Sequence, residues 1–245
     1  MDYQAPENLL ANKVILITGA GDGIGRVAAT TFASHGATVV LLGKTTTKLE
    51  LVYDDIMALG APEPGIAPMD LATATSEDIK QLAEVLDSTY GRLDGLLHNA
   101  AVLGDRIPVE HYDINQWMTV MQVNFNAVFM LTRLMLPLLR QASAASLLFT
   151  SSSVGETPTA YWGPYAVSKY AMEGLAKMLA EELDKTSAVR VNIINPGATR
   201  TRMRAKAYPN ENPANLKPAT SLMPLYLYLM GDDSHAINGE TLTAS

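Results

Sequence analysis

Short, almost entirely apolar runs alternate with longer stretches of helical periodicity along the chain. Six runs have the character of strands, at 13–18, 37–42, 65–69, 93–98, 145–150 and 189–194, and the segment at 239–244 is a candidate for a last edge strand. Helical patterns lie between them, at 23–35 and roughly 46–59, 76–90, 112–141 and 161–185. Apolar strands separated by helices predict an α/β fold, a doubly wound seven-stranded parallel sheet with helices on both faces.

No linker rich in proline, glycine or serine and no internal repeat divides these elements. We therefore predict a single domain over residues 1–245, with a short flexible N-terminus at about 1–11. The segment at about 200–220 combines a basic stretch with three prolines, which is typical of irregular structure. We expect this segment to form a lid over a substrate.

Composition excludes several classes of function. The net charge of −7 argues against nucleic acid or an anionic membrane as a partner. The absence of cysteine excludes disulfides and thiolate zinc sites, and the four histidines lack metal-ligand spacing, so we expect no metal. The N-terminus lacks signal-peptide character, and the most apolar segment, 125–139, is interrupted by Arg133 and Pro137. We expect a cytoplasmic protein.

Four glycines follow the first strand within seven positions: Gly19, Gly21, Gly23 and Gly25. Glycine loses more conformational entropy on folding than other residues, so such a cluster needs a local reason. A turn between a strand and a helix offers free N–H groups and a positive dipole end to a pyrophosphate. The position favours a dinucleotide-binding turn over a plain flexible loop.

The end of the second strand indicates which nucleotide binds. An NAD site places Asp or Glu there to bind the ribose 2′-hydroxyl, whereas this strand ends in Gly43 and Lys44. The missing carboxylate leaves room for a 2′-phosphate, and Lys44 supplies a countercharge, so NADP is favoured over NAD. Asp22 in the turn opposes this interpretation because it would repel the phosphate, and a solvated loop lysine is the alternative role for Lys44.

The sequence YAVSK places Tyr165 and Lys169 on one face of a predicted helix. The pair follows the fifth strand and the serines at 151–153. A tyrosine with its ordinary pKa near 10 is a poor base at neutral pH. A cation about 5 Å away contributes roughly 3 kcal/mol, or about two pKa units, at an effective dielectric constant of about 20. We therefore expect Lys169 to bring the pKa of Tyr165 into a useful range.

Taken together, the motifs resemble those of the short-chain dehydrogenase/reductase family, whose members have a Rossmann-type fold. They occur in the family's order over nearly the whole chain: Thr18-Gly19-x-x-x-Gly23-Ile24-Gly25, HNAA at 98–101, VN at 123–124, SSSVG at 151–155, YAVSK at 165–169 and NPGATRT at 195–201. Within the family, the sequence is most similar to an uncharacterised group of bacterial oxidoreductases, the YciK type.

The resemblance implies a role for individual residues. Tyr165 would be the general acid/base, Lys169 the cation that binds the nicotinamide ribose, Ser152 the second donor to the carbonyl, and Asn124 the holder of a relay water. Nucleotide-binding positions implied by the resemblance, besides Lys44, Tyr165 and Lys169, are Gly19, Gly23, Ile24, Gly25, Asp70, Leu71, Asn99, Ala100, Pro196, Gly197, Thr199 and Thr201.

The expected function is an NADP(H)-dependent oxidoreductase that reduces a carbonyl compound or oxidises the corresponding secondary alcohol. The alternatives are an NAD-linked alcohol dehydrogenase and a nucleotide-binding regulatory protein without turnover.

The basic segment with Arg200, Arg202, Arg204 and Lys206 would bind an anionic substrate or help to close the lid, although a solvated basic face is the favoured alternative. The pattern at 112–141 is apolar on more than one face, and such helices form subunit interfaces in the family. We therefore expect a homodimer or homotetramer.

Overall fold

The computed structural model describes residues 3–157 and 159–244 of the 245-residue chain. The strands β1 to β7 are Val14–Thr18, Thr38–Gly43, Gly65–Pro68, Gly95–His98, Ala145–Thr150, Val189–Asn195 and Thr241–Thr243. The helices α1 to α9 are Gly23–Ser34, Thr46–Ala58, Ser76–Tyr90, Ile114–Met121, Ala127–Leu139, Ser153–Glu156, Gly163–Asp184, Arg202–Ala207 and Met223–Met230. Each predicted strand is present within about two residues of its expected bounds.

The seven strands form one parallel sheet in the order β3-β2-β1-β4-β5-β6-β7. From β1 the chain winds outward to β3 and then returns to lay β4 against the other side of β1. Strand order therefore reverses between β1 and β4, and at such a point the carboxyl ends of the strands open a crevice for a ligand. The prediction of a single-domain, doubly wound parallel sheet is confirmed.

Helices cover both faces of the sheet, which explains why a central strand such as β1 is almost entirely apolar. On β1, Leu16 belongs to the core cluster shared with α3, α5 and α7, whereas Ile15 and Ile17 belong to the cluster shared with α1, α2 and α9. All three side chains are fully buried. Alternate residues of a strand point to opposite faces, so a strand buried on both faces needs apolar residues at every position.

The segment before β1 packs on the sheet's α1 face. Leu10 lies in the core, and its N–H donates to the carbonyl of His35 at 3.0 Å. The Tyr3 hydroxyl donates to Asp233 at 2.7 Å. Residues 1 and 2 of the segment at 1–11 lie outside the described residues, and flexibility of this segment stays a prediction.

The helix expected at 112–141 is present as one continuous helical segment, which contains a π-helical turn that the sequence did not predict. α4 ends at Met121, a π-helical turn occupies Gln122–Asn126, and α5 begins at Ala127. A π-turn widens the helix locally, and such turns are frequent at functional sites. The hydrophobic pattern did not reveal it because the residues on both sides keep the apolar spacing of a helix.

The predicted lid segment contains some regular structure. Its basic part forms α8, which begins where the Thr201 hydroxyl accepts a hydrogen bond from Arg204 N at 3.1 Å. Its proline-containing part forms a short 3₁₀ turn at Pro213–Asn215. The function of the segment as a lid stays a prediction. Over the described residues, no helix has both the length and the apolar character needed to cross a bilayer.

Candidate active site

A cavity of about 500 Å³ opens at the carboxyl ends of the strands, where the order of the sheet reverses. Most of the predicted site residues line it: Gly19, Gly23, Ile24, Lys44, Asp70, Leu71, Asn99, Ala100, Ser152, Tyr165, Lys169, Pro196, Gly197, Thr199 and Thr201. Gly25 and Asn124 do not line the cavity, but they contact residues that do: Gly25 packs against Gly19, and Asn124 is hydrogen-bonded to Val102. The structure thus brings together residues from positions 19 to 201 in one place.

The glycines of the turn after β1 are needed for two different reasons. Gly19 has a φ of +69°, which side chains rarely tolerate, and a Cβ there would lie 2.9 Å from Ala100 Cα. Gly25 lies inside α1, where a Cβ would lie 2.3 Å from the Gly19 carbonyl oxygen and 2.6 Å from Asn99 Nδ2. The turn therefore folds back against its own helix, which leaves the cavity side open to a ligand.

Thr18, which the sequence analysis did not list among the site residues, holds this turn to the neighbouring strand. Its hydroxyl oxygen accepts hydrogen bonds from the backbone N–H groups of Asn99 and Ala100, both at 3.0 Å. The Asn99 side chain in turn donates to the Thr18 carbonyl at 3.3 Å. Thr18 ends β1 immediately before Gly19, so its position in the glycine motif could have identified it as a residue of the site.

Asp22 begins α1 and is neutralised by its surroundings. Its carboxylate accepts from Gly23 N at 2.8 Å and from Lys48 Nζ at 2.7 Å, and Arg202 lies 3.4 Å away. Burial alone would raise the pKa of Asp22, but the hydrogen bonds from Lys48 and Gly23 outweigh it and hold the pKa below its ordinary value. The expected repulsion of a 2′-phosphate is thus offset by two cations that the sequence analysis did not connect to Asp22.

Tyr165 and Lys169 lie one turn apart near the start of α7, and both are buried. The Lys169 ammonium donates to the Thr150 carbonyl at the end of β5 at 2.6 Å. Its Nζ lies 5.7 Å from the centre of the Tyr165 ring. The helix therefore fixes the phenol and the ammonium side by side in the wall of the cavity.

The two groups have shifted pKa values, and one shift differs from the expectation. Burial raises the pKa of Tyr165 to about 12, with Ser152 acting in the opposite direction, so the expected lowering by Lys169 is wrong for this structure. Desolvation of the phenolate outweighs the neighbouring charge. Burial also lowers the pKa of Lys169 to about 8, against the charge of Glu173, which raises it.

Consecutive serines after β5 have different environments. The Ser151 hydroxyl is buried and donates to Glu173 on α7. Ser152 is half-buried, lines the cavity, and has its hydroxyl beside Tyr165. The structure thus brings Ser152, the serine chosen from the sequence, together with Tyr165.

Asn124 is 1% exposed and lies in the π-helical turn. Its side-chain oxygen accepts from Val102 N at 2.8 Å, and its Nδ2 donates to the Val102 carbonyl at 2.9 Å and to Ser168 Oγ at 3.1 Å. The amide therefore joins the loop after β4 to α7. Its expected role in a proton relay stays a prediction.

An aromatic and apolar wall closes the cavity beside Tyr165. Trp162 and Tyr208 have ring centres 6.0 Å apart, and the Arg106 guanidinium lies 4.6 Å from the first ring and 4.7 Å from the second. Arg106 also donates to the Ala207 carbonyl at the end of α8. Leu103, Met203 and Ala207 complete the wall. Sequence reasoning missed Tyr208, because no local pattern links it to Trp162.

Most charges of the basic segment are already paired. Arg204 makes two hydrogen bonds to Glu211, at 2.6 and 2.7 Å. Lys206 lies 4.0 Å from Asp105. These contacts tie α8 to its surroundings and leave less positive charge for a ligand than the sequence suggests.

Comparison with known proteins identifies the class. The model of the short-chain dehydrogenase family matches residues 13–212. The chain therefore belongs to the short-chain dehydrogenase/reductase family of oxidoreductases.

Particular relatives match the chain over its full length. The uncharacterized oxidoreductase YciK of Escherichia coli K12 is 51% identical over 244 residues, which cover 100% of this chain and 96% of that protein. A short-chain dehydrogenase structure from Pseudomonas syringae has a TM-score of 0.98 at 53% identity and covers 100% of this chain and 99% of that one. The similarity to YciK-type oxidoreductases is confirmed.

Two similar structures contain a nucleotide. A short-chain dehydrogenase from Shigella flexneri 2a, complexed with NADP, has a TM-score of 0.95 at 51% identity and covers 98% of this chain and 99% of that one. One from Escherichia coli CFT073, complexed with NADPH, has a TM-score of 0.95 at 52% identity with the same coverage of 98% and 99%.

Proposed function

We propose that the protein reduces an uncharged carbonyl compound with NADPH and uses Tyr165 as the proton donor. The observation that carries the proposal is the placement of Tyr165 and Lys169, buried and one turn apart, in the same cavity as the glycine-rich turn. The cavity thus offers a phosphate-binding backbone and a proton-donating group within one enclosure.

The residues present fit NADP. The turn from Gly19 to Gly25 packs so closely against its own helix and against Ala100 that a Cβ at either position would clash, and this packing leaves the turn's backbone open towards the cavity, which suits the pyrophosphate. Lys44, directly after β2, lines the cavity together with Lys48 and Asp22, and the ion pair between these two offsets the charge with which Asp22 would repel a 2′-phosphate. Similar proteins from Shigella flexneri and Escherichia coli were solved with NADP and NADPH. We propose the same nucleotide here, with NAD as the weaker ligand.

NADPH, when bound, supplies a hydride to the carbonyl carbon. Negative charge then develops on the carbonyl oxygen, and hydrogen bonds aimed at that oxygen lower the barrier. We assign these bonds to the hydroxyls of Tyr165 and Ser152, which lie together in the cavity wall. Tyr165 donates its proton to the oxygen, and the Lys169 ammonium stabilises the phenolate that is left. The pKa of about 12 suits a proton donor that must remain protonated at neutral pH.

The wall beside Tyr165 favours an uncharged substrate. Leu103, Met203 and Ala207 give this part of the cavity an apolar lining. Arg204 is engaged by Glu211 and does not offer a free charge to an anion. Burying a carboxylate without a partner costs several kcal/mol, so an anionic ketone should bind poorly.

The experiment compares methyl benzoylformate with benzoylformate, which present the same ketone with and without a neighbouring negative charge. NADPH oxidation is followed at the nicotinamide absorbance for the wild type and for Tyr165→Phe. We expect reduction of the ester, a kcat/KM for the acid at least about a hundredfold lower, and a loss of at least about a hundredfold in Tyr165→Phe. Wild-type rates in Tyr165→Phe would overturn the mechanism, and equal use of both compounds would overturn the assigned substrate class.

We also propose that the chain assembles as a homodimer or homotetramer. Apolar side chains are exposed on α4, α5 and α7, among them Ile114 at 77%, Met118 at 60% and Phe129 at 46%. Burying such side chains against a second copy removes apolar area from water. A sedimentation mass equal to one chain would contradict this proposal.

A further inference from the structure

A buried carboxylate lies one helical turn beyond Lys169 on the same face of α7. Glu173 is 5% exposed, and its carboxylate accepts a hydrogen bond from the buried hydroxyl of Ser151. Ser151 immediately precedes Ser152, so the carboxylate contacts the segment that presents Ser152 to the cavity. The mechanism described above does not use Glu173.

The packing around this carboxylate leaves no free space. A Cβ at Gly155, on the short helix α6, would lie 2.7 Å from Ser151 Oγ, 2.8 Å from Glu173 Oε1 and 3.0 Å from Lys169 Cβ. Only glycine lets α6 come this close to α7. The glycine of the SSSVG motif therefore allows α6 to cover Glu173 and to separate it from solvent.

Lys169 and Glu173 are four residues apart on α7, and a Cβ at Gly155 would lie within 3.0 Å of atoms of both side chains, so the two charged residues are neighbours under α6. Burial lowers the pKa of Lys169, and the charge of Glu173 opposes that change. His98, which faces Lys169 from β4, is held neutral because burial and then Lys169 lower its pKa to about 3. The Tyr165 phenol is uncharged at neutral pH because burial raises its pKa. Glu156 on α6 is engaged by Asn195 Nδ2 at 2.9 Å.

A buried carboxylate without a compensating role would destabilise the protein. We propose that Glu173 is a positioning residue that holds a negative charge beside Lys169 and fixes Ser151, so that Ser152 keeps its place beside Tyr165. The inference rests on the proposed function of Tyr165 and Lys169. A purely structural role would instead make Glu173 a link between α6 and α7, with no effect on the charge of Lys169.

Three variants separate these roles. Glu173→Gln keeps the shape and the acceptor for Ser151 but removes the charge. Ser151→Ala removes the hydrogen bond and keeps the charge. Glu181→Gln, on an exposed position of the same helix, is the control for loss of a carboxylate. Should Glu173→Gln fail to fold, Glu173→Met supplies a charge-free side chain of similar volume.

The first readout is the titration of Lys169, observed by NMR in protein labelled with ¹³C at lysine Cε and assigned with Lys169→Arg. We expect Glu173→Gln to lower the pKa of Lys169 by about one unit, and Ser151→Ala and Glu181→Gln to leave it unchanged. An unchanged Lys169 titration in folded Glu173→Gln, or in folded Glu173→Met, would overturn the inference.

The second readout is carbonyl reduction as a function of pH. Glu173→Gln should lower kcat at pH 8 by about fivefold, move the alkaline loss of activity to lower pH and leave KM nearly unchanged. Ser151→Ala should lower kcat without moving the pH profile. If Lys169 shifts as expected but no variant, nor the wild type, reduces any carbonyl, the proposed function fails while the effect of Glu173 on Lys169 is supported.

Discussion

The half of the cavity around the glycine-rich turn and the half around Trp162 and Tyr208 are held together by different kinds of contact. In the first half, the contacts are made mainly to backbone atoms: Gly25 packs against the Gly19 carbonyl, and the Thr18 hydroxyl binds two backbone N–H groups of the next loop. In the second half, side chains from three separate segments meet, with the Arg106 guanidinium in contact with both aromatic rings.

This difference has a consequence for how substitutions act. A backbone surface tolerates many changes of side chain but not an added atom at the points of closest approach. A wall of side chains can be altered one residue at a time without moving the sheet behind it. We therefore expect the first half to control nucleotide binding in an almost all-or-none way, and the second half to tune the affinity for the carbonyl compound.

The largest effect is expected for Gly25→Ala. The added Cβ would lie 2.3 Å from the Gly19 carbonyl oxygen, so the turn must move away from α1 and its N–H groups lose their alignment. Strain of about 3 kcal/mol corresponds to a Kd for NADPH raised roughly a hundredfold. Isothermal titration calorimetry with NADPH measures this change.

Gly174→Ala is the matched control, since no atom lies within 4 Å of a Cβ built at that helical position. It should leave the Kd for NADPH unchanged and raise the thermal midpoint, because alanine has the higher helix propensity. Equal nucleotide affinity of Gly25→Ala and the wild type would show that close backbone packing does not shape the binding turn.

An intermediate effect is expected for Arg106→Met. The substitution removes two cation–π contacts of about 0.5–1 kcal/mol each and the hydrogen bond to the end of α8. The KM for methyl benzoylformate should rise about fivefold to tenfold, while the Kd for NADPH stays within about twofold. Steady-state kinetics and calorimetry on the same preparation check both values.

Lys206→Met provides the comparison for Arg106→Met. Lys206 is exposed and lies 4.0 Å from Asp105, and such surface ion pairs contribute little. The KM of Lys206→Met for methyl benzoylformate should equal that of the wild type. A similar rise in KM for both variants would point to a general loss of positive charge near α8 rather than to support of the aromatic wall.

The smallest effect is expected for Lys44→Ala, at the exposed edge of the nucleotide half. With the role proposed for Lys44, loss of its exposed charge should raise the Kd for NADPH about threefold to fivefold. The Kd for NADH, which has no such phosphate, should not change. An equal change for both nucleotides would show that Lys44 does not distinguish them.

Much of the fold and part of the site could be predicted from the sequence because those features are local. Apolar runs buried on both faces indicate parallel strands, and the position of the glycines between β1 and α1 indicates a phosphate-binding turn. The spacing of Tyr165 and Lys169 places both on one helix face, as the structure shows. The family motifs then selected Ser152 from three consecutive serines.

Only the tertiary structure decided the electrostatics of the site and the shape of the wall around Trp162 and Tyr208. Lys48 neutralises Asp22 from 26 residues away, and Arg106 reaches the end of α8 across 101 residues. Burial, which depends on the whole surrounding core, raised the pKa of Tyr165 where the local pair alone predicted a lower value. A sequence pattern records neighbours along the chain, whereas desolvation and contacts between distant side chains exist only after the elements have packed.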